Sequence, residues 1–182
     1  MNTITITVTV NGPYLIQGGI PLAHQHIVTD AQGESPTHAF AVLYLALDEF
    51  KPLNDAHGQV ASDELLGIVA ARLSEVVPAK HCVCRQEHDQ FAYLLDVLPS
   101  RDQLSHLACL LFDAVAAPCD IGSVKLKVRP SIGIAMCPAD GETTEALIRS
   151  ADAAMHCAQR NQTGYAFFDE VGEAWAQRNQ YA

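Results

Sequence analysis

The sequence predicts an α/β (α+β) sandwich in which helices flank a mixed central β-sheet. Phe40–Leu47 is a nearly continuous apolar run of strand length, the pattern of a strand buried on both faces. Three later stretches, Ser62–Val77, Ser100–Ala117 and Thr144–Arg160, repeat apolar residues at helical spacing. Short β-rich runs alternate with them, which sets the order β-α-β-β-α-β-β-α-β.

The elements follow in turn. Thr3–Val10 alternates β-branched polar and apolar residues, a strand with one apolar face, and Asn11-Gly12-Pro13 ends it. Tyr14-Leu15-Ile16, Gly18-Gly19 and Ile27-Val28 extend this into a small meander. The polar stretch from Thr29 to His38 contains Gly33, Ser35 and Pro36 and marks a boundary, so residues 1–38 form an appendage with its linker. Beyond the Phe40 strand, the helix over Ser62–Val77 buries Leu65, Leu66, Val69, Leu73 and Val76 and is capped by Ser62 or Asp63. Cys82–Cys84 and Phe91–Leu95 are short strands around a polar turn. Leu104, Leu107, Leu111 and Val115 line one face of the second helix. Val124–Val128 and Ser131–Cys137 read as a strand pair. Thr144–Arg160 is the third helix, Gly164–Phe168 the last strand, and residues 170–182 a polar helical tail with Trp175.

Composition narrows the function. Hydrophobic residues make up 49% of the 182 and charged ones 18%, enough for one domain with a real core. The formal net charge of −10 disfavours non-specific binding to nucleic acid or to an acidic membrane. No apolar run reaches the roughly 20 residues of a membrane span, and Met1-Asn2-Thr3-Ile4-Thr5 lacks the features of a signal peptide. A cytoplasmic protein is expected. The six cysteines include no Cys-x-x-Cys and no second pair at zinc spacing, so buried free thiols are expected.

Four ordered motifs then carry a resemblance. They are Leu45-Ala46-Leu47-Asp48-Glu49-Phe50-Lys51-Pro52-Leu53-Asn54-Asp55, with Gly58 and Asp63 following; Arg85-Gln86-Glu87-His88-Asp89-Gln90-Phe91-Ala92; Ser131-Ile132-Gly133-Ile134-Ala135; and Leu147-Ile148-Arg149-Ser150-Ala151-Asp152-Ala153-Ala154-Met155. Together they resemble, in order and spacing, the signatures of the bacterial GGDEF (diguanylate cyclase) family over residues 39–169. The resemblance implies a GGDEF/nucleotide-cyclase-like fold and a place in cyclic di-GMP signalling. In that family two domains meet, each holding GTP, and each 3′-hydroxyl attacks the other's α-phosphate with two divalent metals in place.

This chain departs from the pattern at the chemistry. The family's first metal-binding Asp falls on Ala46, whose methyl coordinates nothing. Asp48 shares a strand face with it and, with Asp89, remains a candidate metal pair. Glu87 and His88 replace the two glycines that let the backbone approach phosphate, and Gln90 replaces the last carboxylate, while Asp89 and Phe91 persist. The triphosphate-binding Lys falls on Gln159 and the Arg near Thr163. The product-inhibition motif would occupy Pro78 to His81, and its key residues are missing.

What the resemblance leaves is the guanine end, where Asn54 and Asp63 match the base-reading amide and carboxylate. It implies a non-catalytic regulatory or dimerising module: no catalytic residues, residual GTP binding, no required cofactor but Mg2+ accompanying any GTP, and a protein partner such as an EAL-type phosphodiesterase or a second copy. The alternative is a residual diguanylate cyclase, and the chain can equally be a piece of a longer GGDEF–EAL protein. Separately, Val8–Leu22 resembles the opening strands of small CDGSH iron–sulfur proteins. Their cluster-binding run is absent, so no iron–sulfur site is expected; the segment reads as a β appendage, a fusion remnant or a strand donated to a partner.

Overall fold

The computed structural model describes residues 15–16, 40–76, 82–86, 89–95 and 100–171. Its elements are β1 (Leu15–Ile16), β2 (Ala41–Asp48), α1 (Phe50–Val76), β3 (Cys82–Arg85), β4 (Gln90–Leu95), α2 (Arg101–Ala116), β5 (Cys119–Ile121), β6 (Val124–Leu126), β7 (Arg129–Met136), α3 (Thr144–Asn161) and β8 (Tyr165–Phe167). Six strands form one sheet in the order β1-β3-β4-β2-β7-β8. All neighbours are antiparallel except β7 and β8, so the sheet is mixed as the sequence predicts.

The apolar run of β2 is explained by its place between β4 and β7. Successive side chains point to opposite faces of a strand. Ala41, Leu43, Leu45 and Leu47 therefore enter one core with Leu65, Leu66, Val69 and Leu73 of α1 and Leu104, Ala108 and Leu111 of α2. Val42, Tyr44 and Ala46 enter the other, against Leu147, Ala151 and Met155 of α3. Helix α3 lies so close to the sheet that a Cβ added at Gly133 of β7 would stand 1.8 Å from the Ala151 carbonyl oxygen. That close approach is the physical content of the Ser-Ile-Gly-Ile-Ala strand.

Helix ends are closed by side chains. Ser100 and Gln103 form a reciprocal capping box at the start of α2, and Thr143 Oγ1 accepts from Ala146 N at the start of α3. No basic residue lies in the last turn of α2. Arg72 of α1 serves instead: its guanidinium donates to the carbonyls of Ala117 at 2.6 Å and Pro118 at 2.7 Å. A cation there complements the negative end of the helix and locks α1 to α2.

Two expectations are corrected. The first long helix does not begin at a Ser62 or Asp63 cap. Helical structure starts at Phe50 and breaks at Gly58 (φ 80°, ψ 167°), while Ser62 is 2% exposed inside the continuing helix. Pro52 sits in the first turn, where its missing N–H costs nothing, so a residue that reads as a breaker is compatible with a helix start. Second, Val124–Leu126 pairs not with β7 but with β5, through the Gly122-Ser123 turn in which Gly122 takes a positive φ. The β7 strand spends both its edges on β2 and β8. The strand expected at Thr3–Val10 lies outside the described residues, as does the tail beyond Val171; from the N-terminal meander, Leu15–Ile16 pairs with β3 at the sheet edge.

The chain's entry and exit share one end of the sheet. Cys137 N donates to Phe40 O, Ala41 pairs with Met136, and the parallel register of β8 places Phe167 beside Ile134. At this end Arg101 holds Asp169 at 2.6 Å and Glu170 at 2.5 Å, with its guanidinium 3.9 Å from the centre of the Phe167 ring. Arg101 holds the Asp169 carboxyl below its ordinary range, while burial pushes nearby Asp140 up.

Two outcomes are expected. Gly133→Ala forces α3 off the sheet and should lower stability by about 3 kcal/mol, the upper range for overpacking, read as a fall in denaturant midpoint at unchanged slope; an unchanged midpoint would show that α3 can yield. Because the Asp169 pKa is depressed by folding, its contribution is complete above the ordinary carboxylate pKa of about 4 and is lost as pH falls through the lowered value. Thermal melts of Arg101→Gln should therefore converge on those of the parent as the solution is acidified.

Candidate functional site

The opposite end of β2 carries the candidate site. Strand register sets Gln90 of β4, Ala46 of β2 and Ser131 of β7 side by side in one row, and Asp48 beside Arg129 in the next. Direct cross-strand partners share a face, here the face covered by α3, because Ala46 belongs to the core that Met155 and Ala151 close. The row holds an amide, a methyl and a hydroxyl.

Asp48 is largely enclosed, its side chain 17% exposed. Its Oδ1 accepts from Gln159 Nε2 at 2.9 Å and its Oδ2 from Ser131 Oγ at 3.1 Å. Arg129 Nε stands 4.0 Å from the same Oδ2, and another nitrogen of that guanidinium donates to the Gln162 carbonyl at the end of α3. Two elements, α3 and β7, thus converge on this carboxylate of β2. Gln90 Oε1 accepts from the Tyr44 hydroxyl at 2.8 Å, so the amide that replaces the motif's last carboxylate is tied to the central strand.

The signature turn is partly described. Leu47 N donates to Asp89 O at 3.1 Å and Gln86 N to Gln90 O at 2.9 Å, which closes the β3–β4 hairpin against β2. Phe91 is fully buried and belongs to the α1–α2 core, so its retention follows from packing. Glu87 and His88 lie outside the described residues. Asn54 and Asp63 both sit on α1, on either side of the Gly58 break, Asn54 half-buried and Asp63 exposed.

Magnesium demands near-octahedral oxygen coordination, and the donor set does not fit a pair of such ions. Position 46 offers a methyl, and both Asp48 oxygens already accept hydrogen bonds. Among the described residues no group of three or more His, Cys, Asp or Glu side chains is placed to hold a metal. Cys84, Cys109, Cys119, Cys137 and Cys157 are free, and burial pushes the Cys84, Cys119 and Cys137 thiols up, away from the reactive thiolate.

Sequence patterns alone did not find the links from Gln159, Ser131, Arg129 and Tyr44 to this cleft. Strand parity was the available signal, since Tyr44, Ala46 and Asp48 alternate onto one face. Which residues of β7 and α3 meet them depends on register and helix docking.

Comparison with known proteins places this architecture. The family model "Diguanylate cyclase, GGDEF domain" matches residues 23–164. The chain is 38% identical over 139 residues to the bifunctional diguanylate cyclase/cyclic di-GMP phosphodiesterase MucR of Pseudomonas aeruginosa, covering 76% of this chain and 20% of that protein. It is 30% identical over 142 residues to the cyclic di-GMP phosphodiesterase PdeR of Escherichia coli, covering 78% and 21%. Among solved structures, an EAL/GGDEF domain protein from M. capsulatus superposes with a TM-score of 0.69 at 34% identity, over 74% of this chain and 88% of that one. The GGDEF domain of TpbB (YfiN) from Pseudomonas aeruginosa gives 0.66 at 32%, over 68% and 78%. The fold and the ordered motifs define a nucleotide-cyclase-like signalling domain. The chain belongs to the GGDEF family. It spans about a fifth of the length of the curated relatives MucR and PdeR.

Proposed function

We propose that this chain is a GGDEF module of cyclic di-GMP signalling that no longer cyclises GTP and works by binding a protein partner, with guanine-nucleotide binding retained at Asn54 and Asp63. The observation that carries the reading is the closure of Asp48 by Gln159 and Ser131 next to Ala46. Phosphoryl transfer depends on positioning and on neutralising charge around the reacting phosphates. Here a methyl stands at the first metal position, and an amide stands where the triphosphate-binding lysine would be. That amide is already engaged with the Asp48 carboxylate. Glu87 and His88 in the signature turn add a third, separate impediment.

A regulatory role suits the relatives. MucR and PdeR are named for phosphodiesterase activity, and the M. capsulatus structure is described as an EAL/GGDEF domain protein. We therefore read residues 39–169 as the GGDEF unit, residues 1–38 as an appendage, and residues 170–182 as the tail leading toward an EAL-type partner, in a cytoplasmic setting. No helix among the described residues is long and apolar enough to cross a membrane. Asp48 and Asp89 are relics of the metal site on this reading. A second copy of the chain is the other partner the family pattern favours.

Incubation of the purified protein with GTP and Mg2+ or Mn2+, followed by chromatography, should yield no cyclic di-GMP. Ala46→Asp alone should also yield none, since the turn and the triphosphate grip would still be missing. Product from the unaltered chain would establish the residual cyclase instead. Calorimetric titration with GTP should give a binding isotherm that Asn54→Ala or Asp63→Ala weakens at least about tenfold, as for loss of a base-reading hydrogen bond to a charged or amide group. Heat that neither substitution changes would remove the guanine pocket.

A further inference from the structure

At Phe167 the chain stops being sheet, and one residue later it becomes helix. β8 ends with Phe167 beside Ile134, and residues 168–171 are helical. The two phenylalanines at this junction are anchored on opposite faces of the sheet. Phe167 is 2% exposed in the α1–α2 core, and Phe168 packs against the α3 core. No loop separates strand from helix, so the direction in which the chain leaves is set by what holds residues 169–171.

Asp169 and Glu170 suit a helix start by themselves, because acidic side chains in a first turn complement the helix dipole. That local preference favours the helix but not its direction. Direction comes from Arg101, 68 positions earlier than Asp169. One Nη donates to Asp169 at 2.6 Å, the other to Glu170 at 2.5 Å, and the guanidinium carbon lies 3.9 Å from the centre of the Phe167 ring. A planar guanidinium serves two carboxylates and a ring at once because its donors and its face point in different directions.

The two sides of this contact differ in how firmly they are held. Arg101 opens α2, whose start is closed by the Ser100–Gln103 box, whose Leu104, Ala108 and Leu111 are fully buried, and whose far end is held by Arg72. On the exit side, the Asp169 and Glu170 side chains are 49% and 57% exposed, and Arg101 itself is 41% exposed. Ion pairs this exposed shift an equilibrium by about fivefold or less each, and an exposed cation–π contact does the same. Three such contacts together give about a hundredfold at most. If the two arrangements are otherwise balanced, an open form then sits near about 1%, within the range of minor conformations that binding can select.

We propose that Arg101 is a latch on the chain's exit. Closed, it points residues 169–171, and the chain after them, in one direction relative to α2. Open, those residues swing about the Phe168–Asp169 junction while β8 and α2 stay in place. A partner that contacts Arg101, Asp169 or Glu170 differently in the two forms selects between them, and so decides where the rest of the chain is presented. The latch stands on the Arg101 contacts alone and needs neither the nucleotide reading nor the loss of cyclase activity.

Backbone amide NMR relaxation on the full chain tests it, because the readout is residue by residue. In the parent, Asp169, Glu170 and Val171 should have order parameters near the rigid value of about 0.85. Arg101→Gln should lower them below about 0.6, and so should Asp169→Asn combined with Glu170→Gln, which breaks the latch from its other side. Arg101→Lys, which keeps the charge without the fork, should fall between. Amides of Ala166, Phe167, Leu104 and Leu111 should stay rigid throughout. Residues 169–171 that are already mobile in the parent, or that remain rigid in both latch-breaking variants, overturn the proposal. A loss of order that spreads into β8 or α2 also overturns it, since Arg101 would then be supporting the fold in general and not the exit.

Discussion

Because β2 is hydrogen-bonded along both edges and packed on both faces, every other element takes its position from it. An eight-residue strand spans about 24 Å, and β2 uses that length to separate two ends with different tasks. At one end the chain enters at Phe40 and leaves at Asp169, where Arg101 joins the exit to α2. At the other end lie Ala46 and Asp48, under the last turns of α3. Period-two alternation also divides the strand between two cores, so the residues that shape the candidate cleft are continuous with the α3 core. A change in how α3 sits on Gly133 would be felt at Gln159.

That coupling gives Gln159 a meaning different from simple loss. A lysine at this position would present a mobile cation to solvent or ligand. The shorter glutamine amide donates to Asp48 and fastens the end of α3 to the central strand. Arg129 reinforces the same junction from β7 through the Gln162 carbonyl. Groups that could serve a ligand are thereby employed in holding the domain together.

The order of the helices and strands after residue 39 was legible because the patterns are strong and local. The double-sided burial of β2, the Leu65–Leu73 stripe and the Leu104–Val115 stripe are each written in a few adjacent residues. The misreadings were also local. The first helix was expected to start at a Ser62 or Asp63 cap, yet helical structure begins at Phe50, and Pro52 in its first turn carries no penalty. The short Cys119–Ile121 strand was too brief to register, so Val124–Leu126 was assigned to the wrong neighbour. Choice of partner depends on which edge is open, and β7 has none to spare.

For the site, the chemical identities at Ala46, Asp48, Gln90 and Gln159 were available from the sequence alone, since each position is set by spacing within a motif. The sequence by itself determined which donors and acceptors exist, because side-chain chemistry belongs to the residue. Only the tertiary structure decided how they are paired. Asp48 and Gln159 are separated by 111 positions, and nothing local selects one hydrogen-bond partner over another across that distance. The selection comes from strand register and from the close seating of α3 on Gly133, which bring the amide to the carboxylate.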